Sequence, residues 1–86
     1  VTNKDRFREL AVKVLSETDV PLGKDVLRER VLDLAKSRGQ SVILLSNIHA
    51  RNIHSTLLFD KEKRFSLVSQ NPNQWMLRDG VVVNAA

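Results

Sequence analysis

The apolar period of this chain changes once, near residue 60, and that change restricts the fold more than any other feature of the sequence. Before it, apolar residues return every three or four positions, as on one face of a helix; after it they alternate, as on one face of a strand. Arg64 to Ser69 sets Phe65 and Leu67 on one side, and Gln74 to Arg78 does the same with Trp75 and Leu77. Between them Gln70-Asn71-Pro72-Asn73 is a turn by composition, so the two runs predict a hairpin that Asp79-Gly80 ends.

The helical part precedes it. Asn3 to Thr18 carries Phe7, Leu10, Ala11, Val14 and Leu15 at helical spacing, with Lys4, Glu9 and Lys13 among the polar positions. Asp19-Val20-Pro21-Leu22 cannot continue that helix, because proline lacks an amide hydrogen and restricts the residue before it; the stretch reads as an extended connector with Val20 and Leu22 directed inward. Gly23 is a tolerable cap for a second helix, Lys24 to Arg38, which places Leu27, Val31 and Leu34 on one face and closes at Arg38-Gly39. Val42-Ile43-Leu44-Leu45 is too short for its period to separate a buried strand from a helical turn.

Ser46 or Asn47 can cap a third helix that runs to about Asp60. At about 100° per residue, Ala50, Ile53 and Leu57 fall within about 60° of one another and form its buried stripe. Arg51 and Ser55 then lie nearly opposite, Asn47, His54 and Leu58 flank one side, and Asn52 and Phe59 flank the other. The order helix, short extended stretch, helix, helix, hairpin is that of a winged helix-turn-helix. The expected class is mainly α with a small β-hairpin, three helices backed by a two- or three-stranded sheet.

Composition limits what such a fold can do. The 86 residues make one small domain, expected over residues 1–80, with 81–86 as a C-terminal tail or linker. Apolar residues are 42% and charged residues 28%, far from the profile of a disordered chain. The absence of cysteine excludes disulfide scaffolds, thiolate zinc sites and cysteine nucleophiles, and suits an intracellular protein, in the nucleus of a eukaryote or the cytoplasm of a bacterium. No apolar run approaches the roughly 18 residues of a membrane span and no apolar signal core is present, so no membrane partner is expected. A start at Val1 and a trailing Val81-Val82-Val83-Asn84-Ala85-Ala86 suggest a domain cut from a longer protein.

The triplet Asn-Ile-His occurs twice, at 47–49 and 52–54, and a pair of imidazoles invites a metal reading. Ligands on one helical turn sit three or four residues apart, whereas His49 and His54 are five apart and diverge by about 140°. His49 leans toward the core and His54 outward. No serine lies in a nucleophile turn, and the glycines at 23, 39 and 80 mark element ends rather than a phosphate loop. The expectation is therefore no enzyme, no catalytic residue, no metal and no cofactor.

What remains for the third helix is recognition. Arginine can bond bidentately to guanine and asparagine to adenine in a major groove wide enough to admit a helix, and Arg51 is the best-placed side chain for it. Asn47, Asn52, His54 and Ser55 complete the expected base-facing set, while Lys61, Lys63, Arg64 and Arg78 are expected to neutralise phosphates. From Asn47 to Arg78 five cations face two acids, a net +3 within a chain of net +4. The turn 70–73 carries no Lys or Arg, so the wing is expected to contribute little and binding to double-stranded DNA to be weak. The alternative is a protein-interaction module: Leu32, Val42 to Leu45, Leu58 and Phe59 exceed what three short helices and a hairpin can bury, and surplus apolar surface of this kind marks partner sites.

The closing half, Ser55-Thr56-Leu57-Leu58-Phe59-Asp60, Lys63-Arg64-Phe65-Ser66-Leu67-Val68 and Gln74-Trp75-Met76-Leu77-Arg78, resembles that of a HARE-HTH winged helix. Ala11-Val12-Lys13-Val14-Leu15 followed by Val20-Pro21-Leu22 is similar to the family's opening pattern, and the likeness covers about residues 5 to 79. It implies a DNA-associated role in transcription or chromatin, read by some members through DNA and by others through protein contacts. A proline that commonly precedes the third helix in that family is missing from Ser41 to Ser46.

Overall fold

A computed structural model describes residues 2–70 and 72–81, and for Leu44 and Ala50 the backbone alone. The first helix, α1 (Asn3–Ser16), opens where the sequence satisfies its free amides: Thr2 Oγ1 accepts from the Asp5 amide at 3.1 Å and Asp5 Oδ2 accepts from the Thr2 amide at 3.3 Å. Interaction with the Thr2 side chain first, then with its backbone amide and with the Arg8 guanidinium, holds the Asp5 carboxyl below its ordinary value. The five apolar positions expected in α1 are buried, and Val12 joins them.

Beyond α1 the chain turns at the surface. The Thr18 hydroxyl donates to the Val20 carbonyl at 3.1 Å and accepts from the Val20 amide at 3.3 Å. That closed turn leaves Val20 59% exposed, contrary to the inward placement expected for it, and Leu22 alone reaches the core. Leu22 does so within a short strand, β1 (Leu22–Gly23), whose partner is the last strand of the chain. The second helix, α2 (Lys24–Ser37), starts from Gly23 without a side-chain cap and buries Leu27, Val31 and Ala35, with Leu34 only partly covered. Gly39, at φ 70°, takes the left-handed conformation expected of the helix stop.

The third helix is not the single element expected from Ser46 to Asp60. One helical turn, α3 (Ile43–Ser46), is followed by a break, then by a 3₁₀ turn (Ala50–Asn52) leading into α4 (Ile53–Leu58). The break has two physical causes. In one continuous helix Ile48 would lie about 140° from Ile53, so the two could not both be buried as they are, and the Arg28 guanidinium of α2 holds the carbonyls released at the helix end. Its Nη2 donates to the Ser46 carbonyl at 2.7 Å and its Nε to the Ile48 carbonyl at 2.8 Å. With Ile48 turned inward, the adjacent His49 faces solvent rather than the core side expected for it. Asn47 falls in the break, not on a helix, and neither it nor Ser46 caps α4; the residue before α4 is Asn52, whose side chain makes no capping bond. Of the expected stripe, Ile53 and Leu57 are buried together with Thr56, while the Ala50 side chain lies outside the described residues.

The hairpin follows the alternation. Strands β2 (Phe65–Ser69) and β3 (Gln74–Leu77) pair antiparallel with Phe65 opposite Leu77 and Leu67 opposite Trp75, so these four residues share the face that meets the helices. A register shift between Leu67 and Ser69 inserts a bulge before the turn, of which Asn71 lies outside the described residues. β1 adds to the free side of β3, giving a three-stranded antiparallel sheet in the order β1-β3-β2. Phe7, Leu27, Leu45, Ile53 and Trp75 meet in one core between this sheet and the helices. The result is a small mixed helix and sheet domain. Val81 still packs against the core, and the rest of the expected tail, 82–86, lies outside the described residues.

Candidate nucleic-acid interface

Because Ile53, Thr56 and Leu57 turn inward, α4 and the 3₁₀ turn before it must present their remaining side chains to solvent or to the hairpin. Arg51 and Asn52 are exposed, as is Asn47 in the preceding break, and none of the three side chains has a hydrogen-bond or ion-pair partner among the described residues. This short stretch thus carries one guanidinium and two amides directed outward, the groups suited to base edges and phosphates.

His54 and Ser55 are less free than expected. His54 is exposed, yet Asn73 Nδ2 lies 3.3 Å from its Nδ1, and its ring stands 5.4 Å from that of Trp75 at 52°. The contact ties α4 to the turn end of the hairpin. Ser55 is half-buried, and its hydroxyl donates to the Asn52 carbonyl at 3.1 Å, a bond made within its own helical turn.

The expected phosphate ligands separate into two groups. Lys61, Lys63 and Arg78 are exposed and make no ion pair among the described residues. Lys63 and Arg78 line a common hollow at the end of the sheet, brought there by the pairing of the Arg78 amide with the Arg64 carbonyl at 2.8 Å. Lys63 holds φ 51°, an unusual conformation for a residue with a side chain, as part of the turn closed by its amide on the Asp60 carbonyl at 3.1 Å.

Arg64 belongs to the fold instead. Its Nε and Nη2 meet the two Asp60 oxygens at 3.0 and 3.1 Å, Nη1 reaches Glu9 on α1 at 3.0 Å, and Nε lies 3.2 Å from Glu62. With its side chain only 14% exposed and three carboxylates around it, the guanidinium is occupied as a clasp between α1 and the base of the hairpin. Asp60 is buried, and burial alone would raise its pKa. Hydrogen bonds from the Arg64 side chain and backbone, with the adjacent charge, outweigh that and hold the carboxyl below its ordinary value. Asp60, first among the carboxylates, drives the Arg64 pKa upward in turn.

A further feature was not foreseen from the sequence. Between α4 and the hairpin runs a groove of about 160 Å³ lined by Leu57, Leu58, Phe65, Leu67 and Trp75, with His54, Lys63 and Arg78 at its polar rim. Its formation depends on where α4 ends relative to β2, which no local pattern encodes. Among the described residues no group of three or more His, Cys, Asp or Glu side chains is placed to hold a metal ion, and no helix is long and apolar enough to cross a membrane. Compared with protein-family models, curated proteins and solved structures, the chain matches none.

Proposed function

We propose that this domain is a winged helix that binds double-stranded DNA, with the 3₁₀ turn and α4 in the major groove and the exposed lysines on the backbone. The order α1, β1, α2, the α3–α4 segment and then β2 and β3 supports the winged-helix reading, as does the likeness of the hairpin and the helix before it to HARE-HTH domains. The observation that carries DNA binding is Arg51: a guanidinium on the outward side of the helical segment, exposed and without an ion-pair partner among the described residues. Bidentate contact with guanine is the chemistry such a group performs best. Asn52 is the second base reader, and Asn47 flanks the pair from the break. His54 and Ser55, already engaged with Asn73 and Asn52, contribute less. Lys61, Lys63 and Arg78 neutralise phosphates; Arg64 does not.

Titration of a mixed-sequence duplex at two salt concentrations tests the proposal. With about three phosphates neutralised, the logarithm of the affinity should fall with that of salt at a slope near −3, or roughly 50-fold between 50 and 200 mM. Arg51→Ala should weaken binding and flatten sequence preference, whereas Lys63→Ala should weaken all sequences alike. Failure to bind at the lower salt, or binding that ignores salt, would overturn the reading.

A further inference from the structure

We infer that the groove between α4 and the hairpin docks an acidic, amphipathic segment of a partner protein, one apolar side chain entering the groove and flanking carboxylates meeting Lys63 and Arg78. Its volume of about 160 Å³ is below the range of about 300 to 1,000 Å³ usual for small-molecule sites, and suits a single anchoring side chain. Leu57, Leu58, Phe65, Leu67 and Trp75 make its interior apolar, and no acid lines it. The two cations at its rim are exposed and unpaired among the described residues, so its charge selects an anionic partner. Leu58, 55% exposed at the end of α4, carries the apolar lining out to the groove edge.

Other anions fit less well. A nucleobase needs an open aromatic face, but Trp75 is only 2% exposed and Phe65 is buried, so neither ring offers a stacking platform. A duplex backbone has the charge and lacks the apolar group that the interior would take. A peptide carries both, in the manner of a helix or turn seated by one anchor residue.

The inference does not rest on DNA binding; Lys63 and Arg78 serve both readings, and Leu58 and Arg51 tell them apart. The chain's one tryptophan, Trp75, lines the groove, so its fluorescence reports occupancy directly. The probe is an amphipathic peptide of about 15 residues built from Glu, Asp, Leu and Phe, long enough to form a helix. Two controls accompany it, one with lysine in place of every acid and one with serine in place of every Leu and Phe. The expected result is a saturable change with the first peptide alone. It should weaken by about tenfold or more in Leu58→Ser and in the Lys63→Glu, Arg78→Glu double variant, and stay unchanged in Arg51→Ala. All three changed positions near the groove are exposed, and circular dichroism verifies that the variants fold. The inference is overturned by no saturable change, by equal binding of the lysine peptide, or by full binding in Leu58→Ser. It is likewise overturned if a DNA duplex gives the same change and Leu58→Ser abolishes it, which would assign the groove to DNA.

Discussion

Two segments of this domain are each fastened by an arginine, and they differ in where that arginine comes from. At the base of the hairpin, Arg64 grips Asp60 four residues earlier and reaches Glu9 on α1. At the break before α4, Arg28 of α2 grips the carbonyls of Ser46 and Ile48, 18 and 20 residues away. The first clasp is charge against charge and largely local. The second is charge against bare backbone and depends on the tertiary fold. A chain can thus spend a cation on architecture in two ways, and only the cations left over, such as Arg51, Lys61 and Lys63, are free to meet a ligand.

Cutting each clasp measures its weight. Asp60→Ala should have the larger effect, a loss of about 3 kcal/mol in urea unfolding, because it leaves a largely buried guanidinium facing only the exposed Glu9 and Glu62. A loss under about 1 kcal/mol would mean that the pair behaves as an ordinary surface bridge. Arg28→Met keeps the aliphatic stem but removes two charge-assisted hydrogen bonds, and should cost about 2 kcal/mol. Hydrogen exchange should then accelerate in residues 46 to 58 more than in the hairpin, and uniform acceleration would contradict a local role for Arg28.

Acid sharpens the same contrast. The folded-state pKa of Asp60 lies below the ordinary 3.8, so its contribution to stability is complete above that unfolded value and is lost as pH falls through the folded one. Stability should decline below about pH 4 in the parent, and the decline should be shallower in Asp60→Asn, where that carboxylate is gone. Asp5, also depressed, acts in the same direction in both proteins and cancels from the comparison. The smallest effect is expected at Lys63, whose φ of 51° glycine accommodates without a side-chain clash. Lys63→Gly should raise stability by about 0.5 kcal/mol while weakening DNA binding, since relief of the backbone and loss of the cation are independent. A variant that is less stable would show that Lys63 makes contacts beyond its backbone turn.

The two clasps also divide what could be read from the sequence. The hairpin was legible because alternation fixes which side faces the core, and Phe65, Leu67, Trp75 and Leu77 all lie there. The first two helices were legible for the corresponding reason. The third was not: Leu45 with Ile48, and Ile53 with Leu57, each keep helical spacing, so only the five-residue step from Ile48 to Ile53 marks the break, and nothing near Asn47 reports that Arg28 will take its neighbours' carbonyls. Val20 was misplaced because a Thr18 turn, not the apolar pattern, sets its direction. Arg64 is a different kind of miss. Its partner Asp60 stood four positions away and Glu9 lay on the polar face of α1, but a tally of charge cannot tell a paired arginine from a free one. The outward placement of Arg51 and Asn52 survived the break because Ile53 and Leu57 still turn inward.

The most direct test of DNA recognition by this surface is a map of backbone amide shifts as a short duplex is added at low salt. If the outward segment of the 3₁₀ turn and α4 reads DNA, the largest changes should fall on Asn47, Arg51 and Asn52, with a second set at Lys61, Lys63 and Arg78 and little at Ile43 or Val26. Changes centred on Ile43 and Val26, or none at any duplex concentration, would contradict it.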